Sequence, residues 1–399
     1  MSDFLRVFVT LWLSSNSYLM KNKNVPVFPK AEEISRIKDP LTWTAANRAL
    51  MVEACREIAV FHRDNSAEIR GLYERRKFRP ESIRSESDLG KIPPVGVTAM
   101  KYFLMTCLPE KEVFLKLTSS GTRGQKTQVL FDEASLDRVQ AMLEGVWEQE
   151  GLISSAPANY MMFVYDPKEA KDLGIAFSDK NQQRFAPAAA VHYAIRKNKA
   201  GGWEFDKAGA IAKMLEYAAD AKPVRIFGMP GFIHGFLQEM ELRNLRVELP
   251  PLSLSMTGGG WKAAEDKKVS RDFFRMKMTD LLGIPGDRVR DGYGFAEHSA
   301  PYLECRLHQF HVPAYNRVYA RDPVTMRILK PGQTGLLEFV TPYNAMMPNL
   351  ALLSTDTGYI NPGRCGCGWN APFFTLTGRA GLTKHKGCAI SADEIVRKM

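Results

Sequence analysis

The chain has no hydrophobic run long enough to cross a membrane, and it is poor in cysteine and histidine. Its 399 residues include six cysteines, unevenly spaced, and seven histidines. This usage predicts a reduced, cytoplasmic protein, with Cys55 and Cys107 as packing residues. The apolar segment Phe4–Leu13 has a charge-free core of only seven residues and no small-residue cleavage site after it. We therefore expect a packed N-terminal helix there, and neither a secretion signal nor a membrane span.

Nucleic-acid-binding signatures are also missing. The formal net charge is +10, from 54 lysines and arginines against 44 acidic residues. The basic residues are scattered, with only short clusters such as Arg75–Lys77 and Arg196–Lys199. This distribution favours an anionic small molecule or an acidic partner over nucleic acid.

From about Val113 onward, short apolar runs alternate with amphipathic stretches. Such alternation predicts an α/β fold with at least one mainly parallel sheet flanked by helices. After Leu303 the helical spacing stops, and strands separated by proline and glycine turns follow. The expected strands are Tyr160–Val164, Val224–Phe227, Leu252–Met256 and Leu336–Val340, and the expected helices are Leu41–His62, Leu136–Gln149, Lys207–Ala219, Phe232–Leu242 and Trp261–Leu282.

The strongest local signal is the stretch Thr118–Gln128, TSSGTRGQKTQ, which follows a possible strand at Val113–Leu117. Its small hydroxyl residues, two glycines and two cations make a loop whose backbone N–H groups and side chains can hold phosphates. It is not a Walker A loop, because Gly121 and Gly124 do not supply the four-residue spacing before a Gly-Lys pair. Alone, the stretch is also compatible with an ordinary turn.

Three further motifs follow in chain order. The glycine run Thr257–Trp261, TGGGW, comes directly after an expected strand, where bare backbone can lie flat against a base. Asp291–Glu297, DGYGFAE, places an aromatic ring, a glycine and a carboxylate in one short loop. Ser354–Gly358, STDTG, contains Asp356, a carboxylate able to bind ribose hydroxyls. Each motif has a plain structural explanation, but their joint order favours a nucleotide site.

Cys388 lies near the end of the sequence in the stretch TKHKGCA, among two lysines and a histidine. Adjacent positive charge lowers the pKa of a thiol and raises its reactive thiolate fraction. Gly387 gives the backbone freedom to bring the sulfur close to another group. The stretch therefore predicts a reactive cysteine on a basic arm, and the alternative is an incidental cysteine in a frayed terminus.

Taken in this order, the motifs of residues 113–395 resemble those of the adenylate-forming superfamily of acyl-CoA synthetases, luciferases and adenylation domains. The resemblance implies that Tyr293 stacks on adenine, that Glu297 holds Mg²⁺, and that Asp356 and Arg379 bind ribose. Ala296 stands where the superfamily usually has threonine. The remaining residues that the resemblance assigns to ATP are Ser119, Ser120, Gly121, Thr122, Arg123, Gly124, Lys126, Gly258, Gly259, Gly260 and Gly294.

The last stretch, Gly378–Ile395, resembles the start of the superfamily's C-terminal domain, but the sequence stops at Met399. This truncation and the Gly-Cys in the expected hairpin are similar to the long-chain acyl-protein synthetases of the bacterial bioluminescence fatty-acid reductase complex, the LuxE-type family. That resemblance implies that ATP and Mg²⁺ serve to adenylate a long-chain carboxylic acid. It further implies that the acyl group passes to Cys388, and that a partner acyl reductase subunit takes it. Candidates for the lysine of the missing domain are Lys126, Lys262, Lys384 and Lys386.

The same resemblance implies a division of the chain into four regions. A helical N-terminal part, 1–112, and a nucleotide- and acyl-binding α/β core, 113–302, belong to one large domain with mixed or parallel sheets. A β-rich subdomain, 303–377, completes that domain. The tail, 378–399, is a C-terminal domain reduced to a hairpin and a short helix, and it carries the acceptor cysteine.

A second possible site is metal-binding. The sequence RCGCG places Cys365 and Cys367 one glycine apart, and Cys305 and His311 lie upstream. Three cysteines and one histidine form a standard tetrahedral zinc set, although a Cys-x-Cys spacing is tighter than usual. His308 competes with His311 as the fourth ligand, and the alternative is a pair of free thiols in a glycine turn. The phenylacetate-CoA ligase branch carries a similar Cys-x-Cys-Gly, which supports structural zinc.

The stretch FGMPGFIHGF follows an expected strand and mixes glycine, aromatic residues and methionine. Superfamily relatives build the carboxylate side of the acyl pocket from this region. The resemblance therefore implies an apolar lining from Phe227, Gly228, Met229 and Pro230. The alternative is a buried junction between a strand and a helix.

Three functions remain open from the sequence. The acyl-protein synthetase is favoured by the truncation and by Cys388. A phenylacetate-CoA-ligase-like enzyme that transfers to free CoA is favoured by the Cys-x-Cys element. An inactive nucleotide-binding scaffold of a reductase complex is favoured by Ala296 and by Ala380, which replaces the hinge aspartate of the superfamily.

Overall fold

Two large β-sheets organise this computed structural model, which describes residues 26–118, 127–166, 168–169, 185–198, 200–261 and 267–380. The helices are α1 (Pro29–Ser35), α2 (Ala45–Asn65), α3 (Ala67–Arg75), α4 (Glu86–Leu89), α5 (Ala99–Tyr102), α6 (Glu133–Gln149), α7 (Lys207–Ala219), α8 (Pro230–Leu242) and α9 (Arg271–Leu282). The strands are β1 (Val95–Gly96), β2 (Leu115–Thr118), β3 (Gln128–Phe131), β4 (Ala158–Tyr165), β5 (Ala188–Lys197), β6 (Trp203–Phe205), β7 (Val224–Gly228), β8 (Leu254–Thr257), β9 (Val289–Phe295), β10 (His298–Leu303), β11 (Phe310–His311), β12 (Arg317–Arg321), β13 (Gly335–Val340), β14 (Ala351–Ile360) and β15 (Phe373–Arg379).

The first sheet has seven strands in the order β10-β9-β8-β7-β4-β5-β6. Its strands β9, β8, β7, β4 and β5 run parallel, while β10 and β6 are antiparallel edges. Strand β4 is buried along its whole length, as expected for a parallel strand that is covered on both faces. Helices α7, α8 and α9 cover one face, and α6 packs on the other. The predicted α/β class with a mainly parallel sheet is therefore confirmed.

The second sheet comes mostly from the last third of the chain. Its strands follow the antiparallel order β11-β15-β14-β13-β12, and β1 joins β14 in parallel. Strands β2 and β3 form a separate antiparallel pair. Within the described residues up to 380, no helix follows Leu303, as the sequence pattern predicts. In that described part, no helix combines the length and the apolarity that a bilayer-spanning segment needs.

Local capping decides where the helices begin. Helix α7 has the predicted bounds because the Asp206 side chain accepts the Gly209 N–H at 2.7 Å, which stabilises the first turn. The predicted start of α9 at Trp261 is wrong. Ser270 caps this helix by accepting the Phe273 N–H at 3.2 Å, so that α9 begins at Arg271. Strand β8 begins at Leu254 and not at Leu252, which is exposed and has a positive φ of 69°.

Gly228 ends strand β7 at the carboxyl edge of the first sheet and has φ of +148°. A Cβ atom at this position would lie 2.5 Å from the Phe163 carbonyl oxygen of the neighbouring strand. Real Cβ atoms do not approach backbone so closely, and side chains disfavour this φ. Glycine is therefore required for the close approach of β7 and β4 at this edge.

We expect Gly228→Ala to lower the free energy of unfolding by about 1–3 kcal/mol from the strained backbone, with a further loss from the contact with Phe163. Urea unfolding followed by circular dichroism measures the change. Gly286→Ala is the matched control, because a Cβ there meets nothing within 4 Å. Equal stability of the two variants would contradict this explanation of Gly228.

Candidate functional site

The glycine motif lies at the carboxyl edge of the first sheet, where parallel strands present their last residues together. The Gly258 N–H donates to the Gly228 carbonyl at 3.2 Å. The Thr257 hydroxyl donates to Asp291 at 2.8 Å. Gly259 and Gly260 have φ values of +77° and +71°, so this turn uses backbone conformations that favour glycine. The structure thus brings the turn after β8 beside the start of DGYGFAE on β9, at the usual ligand-binding edge of such a sheet.

Tyr293, Asp356 and Arg379 form one hydrogen-bonded group between the two sheets. The Tyr293 hydroxyl donates to one oxygen of the Asp356 carboxylate at 2.8 Å, and Arg379 Nε donates to the other at 2.7 Å. Asp356 and Arg379 are paired residues on β14 and β15, while Tyr293 belongs to β9 of the first sheet. A carboxylate has about four acceptor sites, so Asp356 keeps capacity for further donors such as sugar hydroxyls.

The charges of this group are set by its burial. Burial, followed by the Asp356 charge, raises the pKa of Tyr293 well above its usual value, so the hydroxyl stays protonated and donates. Desolvation opposes ionisation of Arg379, but the bond and charge of Asp356 outweigh it and raise the pKa of the guanidinium. The arginine side chain remains 52% exposed. The group therefore presents a partly exposed cation beside a carboxylate that two hydrogen bonds fix in place.

Glu297 follows β9 in the turn to β10 and is only 7% exposed. Its backbone carbonyl accepts from Asn349 Nδ2 at 3.0 Å, which fixes the turn. Its negative charge contributes to the raised pKa of Arg379, so the two charged groups are near enough to interact. No hydrogen bond joins the Glu297 carboxylate to another of the described residues. Among those residues, both of its oxygens are therefore available to bind a cation.

Asp291 and Glu304 form a carboxylate pair for which the sequence predicts no specific role. Glu304 is fully buried and accepts the Asp291 backbone N–H at 2.8 Å, together with bonds from Arg271 and Arg275 at 3.1 Å. Burial, and then the Glu304 charge, raises the pKa of Asp291 to about 6. The sequence signal was the position of these carboxylates, two residues before Tyr293 and directly before Cys305.

The predicted acyl-pocket residues lie where β7 passes into α8. Phe227 is 2% exposed, and its ring centroid lies 6.0 Å from those of Tyr160 and Trp147 on one face of the sheet. Met229, also 2% exposed, packs in the core on the opposite face. Pro230 opens helix α8. The structure therefore divides these side chains between the two faces, with Gly228 at the edge, and their role in an acyl pocket stays a prediction.

Four of the predicted metal ligands come together. The ligand atoms of Cys305, His311, Cys365 and Cys367 all lie within 4.8 Å of one another. The Cys305 and Cys365 sulfurs are 3.7 Å apart, and the Cys367 sulfur lies 3.2 Å from His311 Nε2. Zinc bonds of about 2.3 Å to sulfur, at tetrahedral angles, place two sulfurs about 3.8 Å apart. The donor set and its spacing therefore fit a zinc ion.

Histidine orientation resolves which imidazole belongs to this group. His311 Nδ1 lies 2.8 Å from the Ala371 carbonyl, so Nδ1 donates and Nε2 is left with its lone pair toward the sulfurs. His308, the competing candidate, lies outside the group and has Nδ1 3.6 Å from Glu304 Oε2. Cys55 and Cys107 are both buried, and Cys55 packs in the apolar core, as expected for packing cysteines.

Several predicted site residues lie outside the described residues, and their roles stay predictions. Three of them carry the chemistry that the sequence assigns to phosphates and acyl transfer: Arg123, Lys126 and Cys388. The others are Ser119, Ser120, Gly121, Thr122 and Gly124, and the further lysine candidates Lys262, Lys384 and Lys386.

We expect the stability of the wild type to fall, relative to Asp291→Asn, as the pH rises from about 4 to about 6. The raised pKa means that the folded protein still holds a proton that the unfolded chain has released in this window, so a rising pH favours unfolding. Urea unfolding of both proteins across the window measures the difference. Asp287→Asn, at an exposed aspartate nearby, is the control. A difference that does not change with pH would contradict the assignment.

Comparisons with known proteins identify the family of this chain. A family model described as acyl-protein synthetase, LuxE, matches residues 18–396. The long-chain-fatty-acid–luciferin-component ligase of Aliivibrio fischeri is 20% identical over 388 residues, which cover 95% of this chain and 97% of that protein. The ligase of the same name from Vibrio harveyi is 22% identical over 387 residues, covering 94% and 96%.

The fold also resembles solved ligase structures. An open conformation of 2-hydroxyisobutyryl-CoA ligase, in complex with 2-HIB-AMP and CoA, superposes with a TM-score of 0.62 at 16% identity, over 91% of this chain and 80% of that one. The same enzyme in its postadenylation state gives a TM-score of 0.61 at 17% identity, over 91% and 72%. These likenesses show an adenylate-forming ligase fold. Because the family match spans nearly the whole sequence, the chain belongs to the LuxE family of acyl-protein synthetases, which are ligases.

Proposed function

We propose that this protein activates a long-chain fatty acid with ATP as an acyl-adenylate and then holds the acyl group as a thioester on Cys388. The observation that carries the proposal is the group of Tyr293, Asp356 and Arg379 beside the glycine turn after β8. It combines a ring for a base with a carboxylate and a cation for a ribose at one edge. Family membership supports the same chemistry.

In the first step, a carboxylate oxygen of the acid attacks the α-phosphorus of ATP. An oxygen–phosphorus bond forms to that atom, and the bond to the β-phosphate oxygen breaks, so that pyrophosphate leaves with its electron pair. Tyr293 would position the adenine, and Asp356 and Arg379 the ribose. Glu297 would hold a magnesium ion, whose charge neutralises the phosphates. Arg123 and Lys126 would stabilise negative charge that builds up in the step.

In the second step, the Cys388 thiolate attacks the acyl carbon. A carbon–sulfur bond forms, the bond to the AMP oxygen breaks, and AMP leaves. Splitting the transfer in two replaces one difficult substitution by two easier ones. A thioester is also a suitable substrate for reduction to an aldehyde, so a partner acyl reductase in the cytoplasm would accept the group. The names of the curated relatives, which specify a long-chain fatty acid, support this acid class.

We also propose that the centre formed by Cys305, His311, Cys365 and Cys367 holds a structural zinc ion. Burial raises the pKa of the Cys305 and Cys367 thiols, so their deprotonation needs a compensating cation. Four protein ligands leave no open coordination position, which is typical of structural zinc. This site therefore serves the architecture and takes no part in bond formation.

We expect the full-length protein, incubated with ATP, Mg²⁺ and radiolabelled tetradecanoic acid without CoA, to acquire a label that hydroxylamine removes. Cys388→Ala should abolish this label, because no thiolate remains to form the thioester. It should still exchange pyrophosphate with ATP in an acid-dependent reaction, since adenylation precedes transfer. Denaturing gels and exchange assays provide the two measurements.

Cys107→Ala, at a buried packing cysteine, is the matched control and should keep the label. Asp356→Ala should lose both label and exchange. A hydroxylamine-sensitive label that survives Cys388→Ala would contradict the acceptor assignment. A thioester that appears only when CoA is added would favour the acid:CoA ligase. Absence of acid-dependent exchange in the wild type would favour the inactive scaffold.

For the metal centre, we expect about one zinc ion per chain in protein purified without chelators, measured by inductively coupled plasma mass spectrometry. Cys365→Ser should lose the metal, because a hydroxyl is a poor zinc ligand, whereas Cys107→Ser should retain it. The same zinc content in both variants would show that the ion lies elsewhere.

A further inference from the structure

The four metal ligands come from two different segments of the fold. Cys305 follows β10, the edge strand that pairs with β9 in the first sheet, and His311 lies on the short strand β11. Cys365 and Cys367 lie on the loop between β14 and β15. These two strands carry Asp356 and Arg379, respectively. An ion bound by all four residues therefore joins the segment after β10 to the hairpin that carries the ribose-side residues.

Ring contacts connect this centre to Tyr293. Phe310, the residue before His311, has its ring centroid 6.1 Å from that of Tyr293. Phe374 on β15 stacks with Phe310 at 5.7 Å and lies 5.8 Å from Tyr293. Strands β11 and β15 also pair directly, Phe310 with Phe374 and His311 with Phe373. The position of β11 and β15 therefore determines the packing surface on which the Tyr293 ring rests.

A second connection runs through Glu304, the residue before Cys305. Its carboxylate accepts the Asp291 N–H at 2.8 Å, and its own N–H donates to the Asp291 carbonyl at 3.0 Å. Arg271 and Arg275 hold the same carboxylate from α9. Asp291 is two residues from Tyr293 on β9. A shift of the Cys305 segment would therefore move the backbone of the strand that carries Tyr293.

We propose that the Cys305–His311–Cys365–Cys367 centre is a metal clamp. It positions Tyr293 on the first sheet against Asp356 and Arg379 on the second, and Glu304 is the positioning residue. Metal occupancy therefore strengthens nucleotide binding. The proposal rests on the zinc site and on the nucleotide site of the proposed function. It adds a regulatory link between them, since loss of the ion would weaken adenylation without touching a substrate-binding residue.

Thermodynamic linkage makes the clamp measurable without any substitution. If zinc raises the affinity for AMP by some factor, AMP must raise the affinity for zinc by the same factor. We expect about a tenfold effect, within the usual range for coupled sites. The full-length zinc-loaded protein is titrated with a chromophoric chelator, with and without saturating AMP. Isothermal titration calorimetry measures AMP binding to the zinc-loaded and the chelator-treated protein, and circular dichroism checks that both are folded.

Each outcome has a distinct meaning. The clamp is supported if the chelator removes zinc less readily in the presence of AMP and if the zinc-free protein binds AMP more weakly by the same factor. Zinc binding that AMP leaves unchanged overturns the clamp but not the zinc site or the proposed function. Absence of zinc binding overturns both the metal site and the clamp. Absence of AMP binding to the zinc-loaded protein overturns the proposed nucleotide site, and the clamp with it.

Glu304→Gln tests the route of the coupling. It leaves the four metal ligands in place but weakens the acceptor for Asp291 and the arginines. We expect zinc content to be retained and the coupling factor to fall toward one. Asp272→Asn is the matched control, because Asp272 contacts the same Arg275 from a side chain that is 96% exposed. If a folded Glu304→Gln variant keeps the coupling between zinc and AMP, Glu304 is not the positioning residue.

Discussion

The carboxylate of Asp356 is the group on which the geometry of the site depends. A buried carboxylate needs hydrogen bonds and a compensating charge, and here Tyr293 supplies a hydrogen bond while Arg379 supplies both. Tyr293 comes from the parallel sheet and the other two residues come from the antiparallel sheet. Bonds to a charged acceptor are stronger than neutral ones. The pairing of this carboxylate therefore helps to fix the position of one sheet relative to the other, together with the hydrogen bond between His298 and Thr341 and that from Asn349 to the Glu297 carbonyl.

Much of this arrangement was predictable from the sequence, because periodicity and glycine placement are local properties. The expected strands and helices of the α/β core correspond to observed elements, and the glycine turn after β8 lies beside the DGYGFAE strand. The errors occurred at the ends of elements. The start of α9 depends on the hydrogen bond that the Ser270 side chain accepts from the Phe273 N–H, whereas the helical spacing read from the sequence continues upstream to Trp261.

The rest could not be predicted, because it depends on pairing between distant segments. The sequence favours His311 but leaves His308 as a competing ligand, and it is the pairing of β11 with β15 that places His311 beside Cys367. The raised pKa of Asp291 is likewise a product of burial and of the neighbouring Glu304 charge. Neither effect is visible in a sequence pattern, because desolvation exists only after the sheets have packed.

Glu304 shows why the proposed metal centre and the proposed nucleotide site are best considered together. Burying an isolated carboxylate costs several kcal/mol, and an apolar side chain of similar size would often be as stable. Here the carboxylate is satisfied by two arginines of α9 and by the Asp291 N–H. These contacts compensate the cost of burying the carboxylate. They also fix the strand that carries Tyr293 relative to the segment that carries Cys305. An apolar side chain at this position could not form these directional hydrogen bonds. A site built from residues of two sheets needs such bonds to hold those residues in a fixed relative orientation.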